Sequence, residues 1–229
     1  MKLKKINKKQ FYLAFDGFSA SGKSLGAKLI SKKYKLNLLN TGLLYRYAAF
    51  IILKNKPKRK VSFLKKKFRK LNYKYLTSLN LHSEKISNYT AIIAKQKKVR
   101  QILKLYQKKF ARKFKRVAIE GRDISTKILN NNPRYDVAFF FKCNLNTAAY
   151  RRWRDLKTTN KQITLNEVKK SLKKRNELDV KRRFSPLIRS TDSIVIRTDI
   201  LNKKAMVTKM SKRIDEKLIM KYGNKFKAR

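Results

Sequence analysis

Phe11-Tyr12-Leu13-Ala14-Phe15-Asp16-Gly17-Phe18-Ser19-Ala20-Ser21-Gly22-Lys23-Ser24 runs from a continuous apolar stretch into a loop bounded by glycines. The stretch at 11–15 shows no polar alternation, so it reads as a parallel strand buried on both faces. The loop carries the full Gly-x-x-x-x-Gly-Lys-Ser pattern. Its glycines let the backbone curl so that successive N–H groups face a phosphate chain at a helix N-terminus. On this reading Gly17, Ser19, Ala20, Ser21 and Gly22 form the cradle, Lys23 reaches the outer phosphates and the Ser24 hydroxyl is the candidate Mg2+ ligand. Ser24–Tyr34 then has helical spacing, with Leu25 and Leu29 set against Lys28 and Lys32. Strand, loop and helix in that order are the context the pattern needs.

Outward from the loop, Leu38-Leu39 reads as a short second strand and 43–53 as a helix, and Pro57 breaks the chain. Composition then shifts. Lysine dominates from Lys58 to Phe110 and glycine is absent, which predicts an inserted lobe with helices over 61–71 and 89–110. Arg116-Val117-Ala118-Ile119 and Asp136-Val137-Ala138-Phe139-Phe140-Phe141 resume the buried-strand pattern. Helices follow over 146–156 and 165–178, the second opened by a Thr164/Glu167 capping box, and the chain closes with strand 194–196 and helix 203–221. Alternating strands and helices predict an α/β fold with a parallel sheet covered on both faces.

The 229 residues carry 63 Lys+Arg against 13 Asp+Glu, a formal charge of +50. Such a balance admits nucleic-acid binding. The lysines, however, are spread over nearly every segment, so the charge speaks to solubility and incidental binding rather than to fold. The scarce carboxylates are more telling, because they gather at Asp16, in Glu120-Gly121-Arg122-Asp123 and at Asp179. Cys143 cannot form an internal disulfide and reads as a buried, inert thiol. His82 lacks metal-ligand neighbours and reads as a surface residue; Trp153 reads as packing. No apolar run reaches the length of a membrane span and no signal-peptide core follows the basic N-terminus, so a cytoplasmic, monomeric protein without membrane contact is expected.

Four motifs in order then carry a resemblance: Ala14-Phe15-Asp16-Gly17 entering the loop, Asn40-Thr41-Gly42-Leu43-Leu44-Tyr45-Arg46, Glu120-Gly121-Arg122-Asp123-Ile124, and Arg175-Asn176-Glu177-Leu178-Asp179 leading to Arg182 and Ser185-Pro186-Leu187. From about residue 11 to 215 the chain resembles bacterial cytidylate kinase, a P-loop nucleoside monophosphate kinase. The resemblance implies a P-loop NTPase-type core over 10–57, 111–149 and 188–222, a monophosphate-binding insertion over 58–110 and a helical lid over 150–187. It implies ATP and Mg2+, with CMP or dCMP as acceptor. By the same resemblance Thr41 and Asp123 accept from the cytosine amino group, Arg100 meets the base edge, and Tyr45 lies in the substrate site. Arg46, Arg122 and Arg182 gather phosphate oxygens, Arg175 and Asp179 contact the sugar, and Arg151 and Arg152 close over the ATP phosphates. Asp16 and Glu120 are alternatives for ordering the loop or holding a magnesium-bound water.

The chain departs from the family at Phe18, usually proline, and at Asn176, usually Asp. The sugar-contacting Ser of the insertion falls on Ala91 by ungapped counting, or on Thr90 if the register slips by one. Two competing readings stay open at this point. One is a P-loop kinase for another nucleoside monophosphate; the other is a basic nucleic-acid-binding protein with a vestigial ATP site.

Overall fold

The computed structural model describes residues 9–81, 83–158 and 161–223; His82 and the basic N-terminus lie outside them. In chain order the elements are β1 (Phe11–Gly17), α1 (Lys23–Lys33), β2 (Asn37–Asn40), α2 (Thr41–Asn55), α3 (Lys60–Arg69), α4 (Tyr73–Thr77), α5 (Glu84–Ile93) and α6 (Lys97–Lys113). They continue with β3 (Arg116–Glu120), a π-helical turn (Ile124–Ile128), β4 (Val137–Lys142), α7 (Leu145–Lys157), α8 (Leu165–Lys181), β5 (Ile194–Arg197) and α9 (Lys203–Tyr222). The strands form one sheet in the order β2-β3-β1-β4-β5, parallel at every pairing.

The unbroken apolar run of β1 is explained by its central place: all seven residues are buried. Phe11, Leu13 and Phe15 face α1 and α9, together with Phe139 and Phe141 of β4. Tyr12 and Ala14 face the other way, towards α2, α3 and α6. Both faces are therefore dry, as a parallel sheet requires. The chain leaves β1 to one side for β2 and β3, then crosses to β4 and β5 on the other. This reversal opens a crevice at the carboxyl ends of β1 and β3, the usual place for a ligand in an open α/β sheet.

Most expected elements stand within three residues of their predicted bounds. One does not: the single helix expected over 89–110 is two, α5 and α6, parted by Ala94-Lys95-Gln96. Ile86 and Ile93 of α5 and Val99, Ile102 and Leu103 of α6 enter the same core, which one straight helix could not arrange. The break also leaves the Ala94 carbonyl to accept from Arg100 Nη1 at 3.3 Å. The short helix α4 had no signal in the periodicity.

α7 and α8 pack on each other through a small cluster of their own, Ala148, Ala149, Val168 and Leu172 with Trp153 and Ile163 beside it. The capping box is present at Thr164 and Glu167. Cys143 is half-buried rather than buried, because it follows the carboxyl end of β4, where Arg151 Nη1 approaches its sulfur at 3.8 Å.

Candidate active site

Gly17 ends β1 at φ 148° with the Phe141 carbonyl oxygen 2.4 Å from where a Cβ would stand. Only glycine lets the loop turn this close to β4. Gly22, at φ 75°, makes the second turn and serves as N-cap of α1. Between them the loop lines a cleft of about 400 Å3 from Ser19 to Ser24. The cleft also gathers Thr41, Tyr45, Arg46, Arg100, Arg122 and Asp123. Its far wall supplies Arg151, Arg152, Arg175, Asp179 and Arg182. Of the residues singled out in the sequence for this site, Gly17 and Asp16 stay beneath the cleft.

Glu120 and Asp16 part company. Asp16 is buried under the site, where its carboxylate accepts from the Ile124 N–H, the Ser125 N–H and the Ser125 hydroxyl at 2.7–2.8 Å. Burial pushes its carboxyl up, against those donors. It braces the turn that carries Asp123 and does not line the cleft. Glu120 points at the loop instead. Its Oε2 accepts from the Ser24 hydroxyl at 2.7 Å and lies 3.8 Å from Lys23 Nζ. Burial, then the Arg122 charge, push the Lys23 ammonium down to about 8, against the pull of Glu120.

At the other end of the cleft the polarity of each group is settled by its partners. The Thr41 hydroxyl donates its proton to the Glu120 carbonyl at 2.8 Å, so its oxygen has only lone pairs left to offer. Asp123 Oδ2 accepts from Arg100 Nη2 at 2.6 Å in a buried pair, while Oδ1 has no protein donor among the described residues. The Arg100 guanidinium lies over the Tyr45 ring, 5.4 Å from its centroid. Burial pushes the Tyr45 phenol up to about 12. This corner therefore presents acceptors to whatever enters between Thr41 and Asp123.

Asp179 is shared. Its Oδ2 accepts from Arg122 Nε at 2.8 Å and its Oδ1 from Arg182 Nη1 at 3.0 Å. Burial works against this carboxylate, but the two guanidiniums outweigh it and hold its carboxyl below the usual range. Arg175, four residues earlier on the same helix, is open to the cleft. Lost hydration and the Arg122 charge push its guanidinium down. Arg46 donates through Nη1 to the Leu81 carbonyl and the Ser87 hydroxyl, which ties α2 to α5 and the segment before it. Among the described residues, buried N–H groups of Arg100 (Nε) and Arg182 (Nη2) have no protein acceptor. Orphaned donors in a cleft are what a missing anionic or polar ligand leaves behind.

Three residues had gone unread or were placed differently. Asn176 turns to the loop, where its Oδ1 accepts from the Ser19 N–H at 3.1 Å; a neutral amide there docks α8 without bringing a charge to the phosphate cradle. Thr198, at the end of β5, accepts from Arg151 Nη1 at 3.1 Å and donates to the Ser21 carbonyl at 3.0 Å. Its only sequence signal was a hydroxyl at a strand end on the carboxyl side of the sheet. Thr90 lines the cleft and Ala91 does not, so the slipped register is the one whose side chain reaches the ligand space. Arg152 lines the cleft beside Arg151.

The family model described as cytidylate kinase matches residues 13–216. The cytidylate kinase of Mesomycoplasma hyopneumoniae (strain 7448) is 30% identical over 230 residues, covering 95% of this chain and 97% of that protein. The cytidylate kinase of Bartonella quintana (strain Toulouse) is 32% identical over 202 residues, covering 86% and 91%. Among solved structures, an uncharacterized protein from Eubacterium ventriosum ATCC 27560 superposes with a TM-score of 0.54 at 17% identity, covering 91% of this chain and 99% of that one. That last likeness bears on the fold alone.

Proposed function

This chain belongs to the cytidylate kinase family and is an ATP-dependent nucleoside monophosphate kinase, and we propose how its residues pass the ATP γ-phosphoryl group to CMP or dCMP. The observation that carries the substrate assignment is the pair of acceptors at Thr41 Oγ1 and Asp123 Oδ1. The cytosine amino group donates to both. The uracil carbonyl at the same position brings lone pairs against a carboxylate and leaves it unpaired, which is a large penalty in a buried site. The free Arg100 Nε–H donates to the base edge beside them.

The triphosphate lies along the loop, held by backbone N–H groups and Lys23. Among the described residues the cleft is lined by eight Lys and Arg side chains and four carboxylates, an excess of four positive charges. Two phosphate chains with about −1.5 to −2 on each terminal group call for such an excess. Arg46, Arg122 and Arg182 take the monophosphate end, where the orphaned Arg182 Nη2 is a ready donor. Forked guanidiniums suit this task better than ammonium groups. Arg175 and Asp179, with Thr90 opposite, take the sugar.

Mg2+ fits the hard oxygen pair of Ser24 and Glu120, 2.7 Å apart beside Lys23. When bound there it supplies charge to the outer phosphates. The acceptor oxygen of the monophosphate is already anionic, so no side chain need act as a strong base. The chain's own contribution is alignment and charge neutralisation. We assign α7 and α8, which share their own small apolar cluster, to a lid; Arg151 and Arg152 ride on it, and its closure excludes water from the transfer. Among the described residues no helix is long and apolar enough to cross a membrane, and we place the kinase in the cytoplasm with its nucleotides.

The test is ATP-dependent turnover of CMP, dCMP, UMP, AMP and dTMP at moderate salt, read as ADP formed. CMP and dCMP are expected to exceed the others by at least about a hundredfold in kcat/KM. A preference for UMP or dTMP would overturn the base assignment, and no turnover by folded protein would overturn the mechanism.

A further inference from the structure

A second cavity, of about 570 Å3, lies between the outer edge of β2 and the inserted helices. It shares no residue with the cleft of the active site. Tyr73, Tyr106, Phe110 and Phe114 line it with rings. Tyr73 and Phe110 meet edge to face at 5.8 Å, and Phe110 leans on Phe114 at 5.0 Å. Arg69, Lys70, Lys74, Lys109 and Lys113 stand around them, and among the described residues no carboxylate lines the cavity. In a chain this basic, cations alone would say little. Here they surround an aromatic pocket with a polar edge.

That edge comes from the sheet. Among the described residues β2 is the outermost strand, so one side of its backbone has no strand partner there. Asn40 turns its N–H to that side and donates it to the Tyr73 hydroxyl at 2.8 Å. Backbone groups alternate sides along a strand, so the N–H and C=O of Leu38, two residues earlier, face the same way. Leu38 lines the cavity. It offers a donor and an acceptor side by side, the pattern that reads the edge of a heterocycle.

We propose that this cavity is a second nucleotide site, with the Leu38 backbone pair reading a planar heterocyclic base, the ring cluster stacking on it and the Lys109–Lys113 side of α6 holding its phosphates. Aromatic stacking and flanking cations recognise nucleotides in general. The site is wired to the active cleft. Tyr73 lines the cavity and accepts from Asn40, whose side chain caps α2 at Leu43 N. The first turns of α2 carry Thr41, Tyr45 and Arg46 of the cleft. A ligand that shifts Tyr73 therefore acts on the start of the helix that forms the acceptor site, and linkage makes the effect reciprocal.

The experiment is calorimetric titration with the imido analogue of ATP, at saturating CMP, on three proteins: wild type, Lys109→Glu/Lys113→Glu, and Lys23→Ala. Lys109 and Lys113 are exposed and stand outside the catalytic cleft. Two analogue molecules per wild-type chain are expected. The charge-reversed variant should keep one, and Lys23→Ala should weaken that one and leave the second molecule bound. A single molecule per wild-type chain would overturn the proposal. So would equal displacement of the second molecule by tripolyphosphate, which has the charge but no ring. Kinase turnover of the same samples is read separately, so failure of the second site and failure of the cytidylate kinase assignment are distinguishable.

Discussion

Replacing Asp123 by asparagine keeps the shape of the side chain and changes what it asks of its ligand. In the wild type Oδ2 is committed to Arg100 at 2.6 Å, and Oδ1 of this cleft-lining residue has no protein donor among the described residues. An incoming cytosine amino group gains a charge-assisted hydrogen bond, about 1.5–3 kcal/mol. Uracil forfeits that bond and leaves a desolvated carboxylate oxygen unpaired, at about 1–3 kcal/mol or more. Together these separate CMP from UMP by about 3–6 kcal/mol, or about 10^2- to 10^4-fold in kcat/KM, since about 1.4 kcal/mol is tenfold. The asparagine oxygen can still accept from Arg100, which retains much of the pair's geometry. Its NH2 then faces the cleft and donates to the uracil carbonyl. The Asp123→Asn ratio of CMP to UMP kcat/KM is expected to fall to within about tenfold of unity, mostly by loss of CMP turnover. Initial rates for both substrates, with thermal unfolding alongside to confirm the fold, measure it. A folded variant that keeps the wild-type ratio would refute the acceptor argument and shift base selection elsewhere.

Lys23 supplies a pH prediction. Its pKa of about 8 lies below the ordinary value of 10.5, so between the two the unfolded chain binds more protons than the native one. The stability cost of burying this ammonium is present below pH 8 and is relieved as pH rises from about 8 towards 10.5. Function runs the other way: kcat/KM for ATP should fall above an apparent pKa near 8, and nucleotide binding near pH 8.5 should take up protons, seen as a buffer-dependent binding enthalpy. Glu120→Gln keeps an acceptor for the Ser24 hydroxyl but removes the anion; the Mg2+ concentration for half-maximal rate should rise about tenfold while CMP selectivity holds. Asn176→Ala removes one hydrogen bond from the loop, worth about 1 kcal/mol; KM for ATP should rise about fivefold with little change in the KM for CMP, as measured by initial rates at varied ATP and CMP.

The sequence by itself determined the elements whose signal is local. The run at 11–15 had to be buried on both faces because nothing in it could face water. Gly17 and Gly22 announced turns that other residues cannot make, and the four motifs marked the side chains that the cleft gathers. Tertiary structure decided what depends on which distant group an atom meets. Asp16 and Glu120 are both carboxylates near strand ends, and only packing turns one beneath the Asp123 turn and the other towards Ser24. Asp179 was expected with Arg175 at the sugar, and only the fold shows that its oxygens are shared by Arg122, 57 residues away, and Arg182. The break before α6 arises because two apolar faces must reach one core, a demand that no periodicity within the segment records. The second cavity exists because β2 ends the sheet, and the strand order that leaves its edge open is a property of the fold as a whole. Periodicity and backbone chemistry act over a few residues, whereas hydrogen-bond partners and cavities are made between segments far apart in the chain.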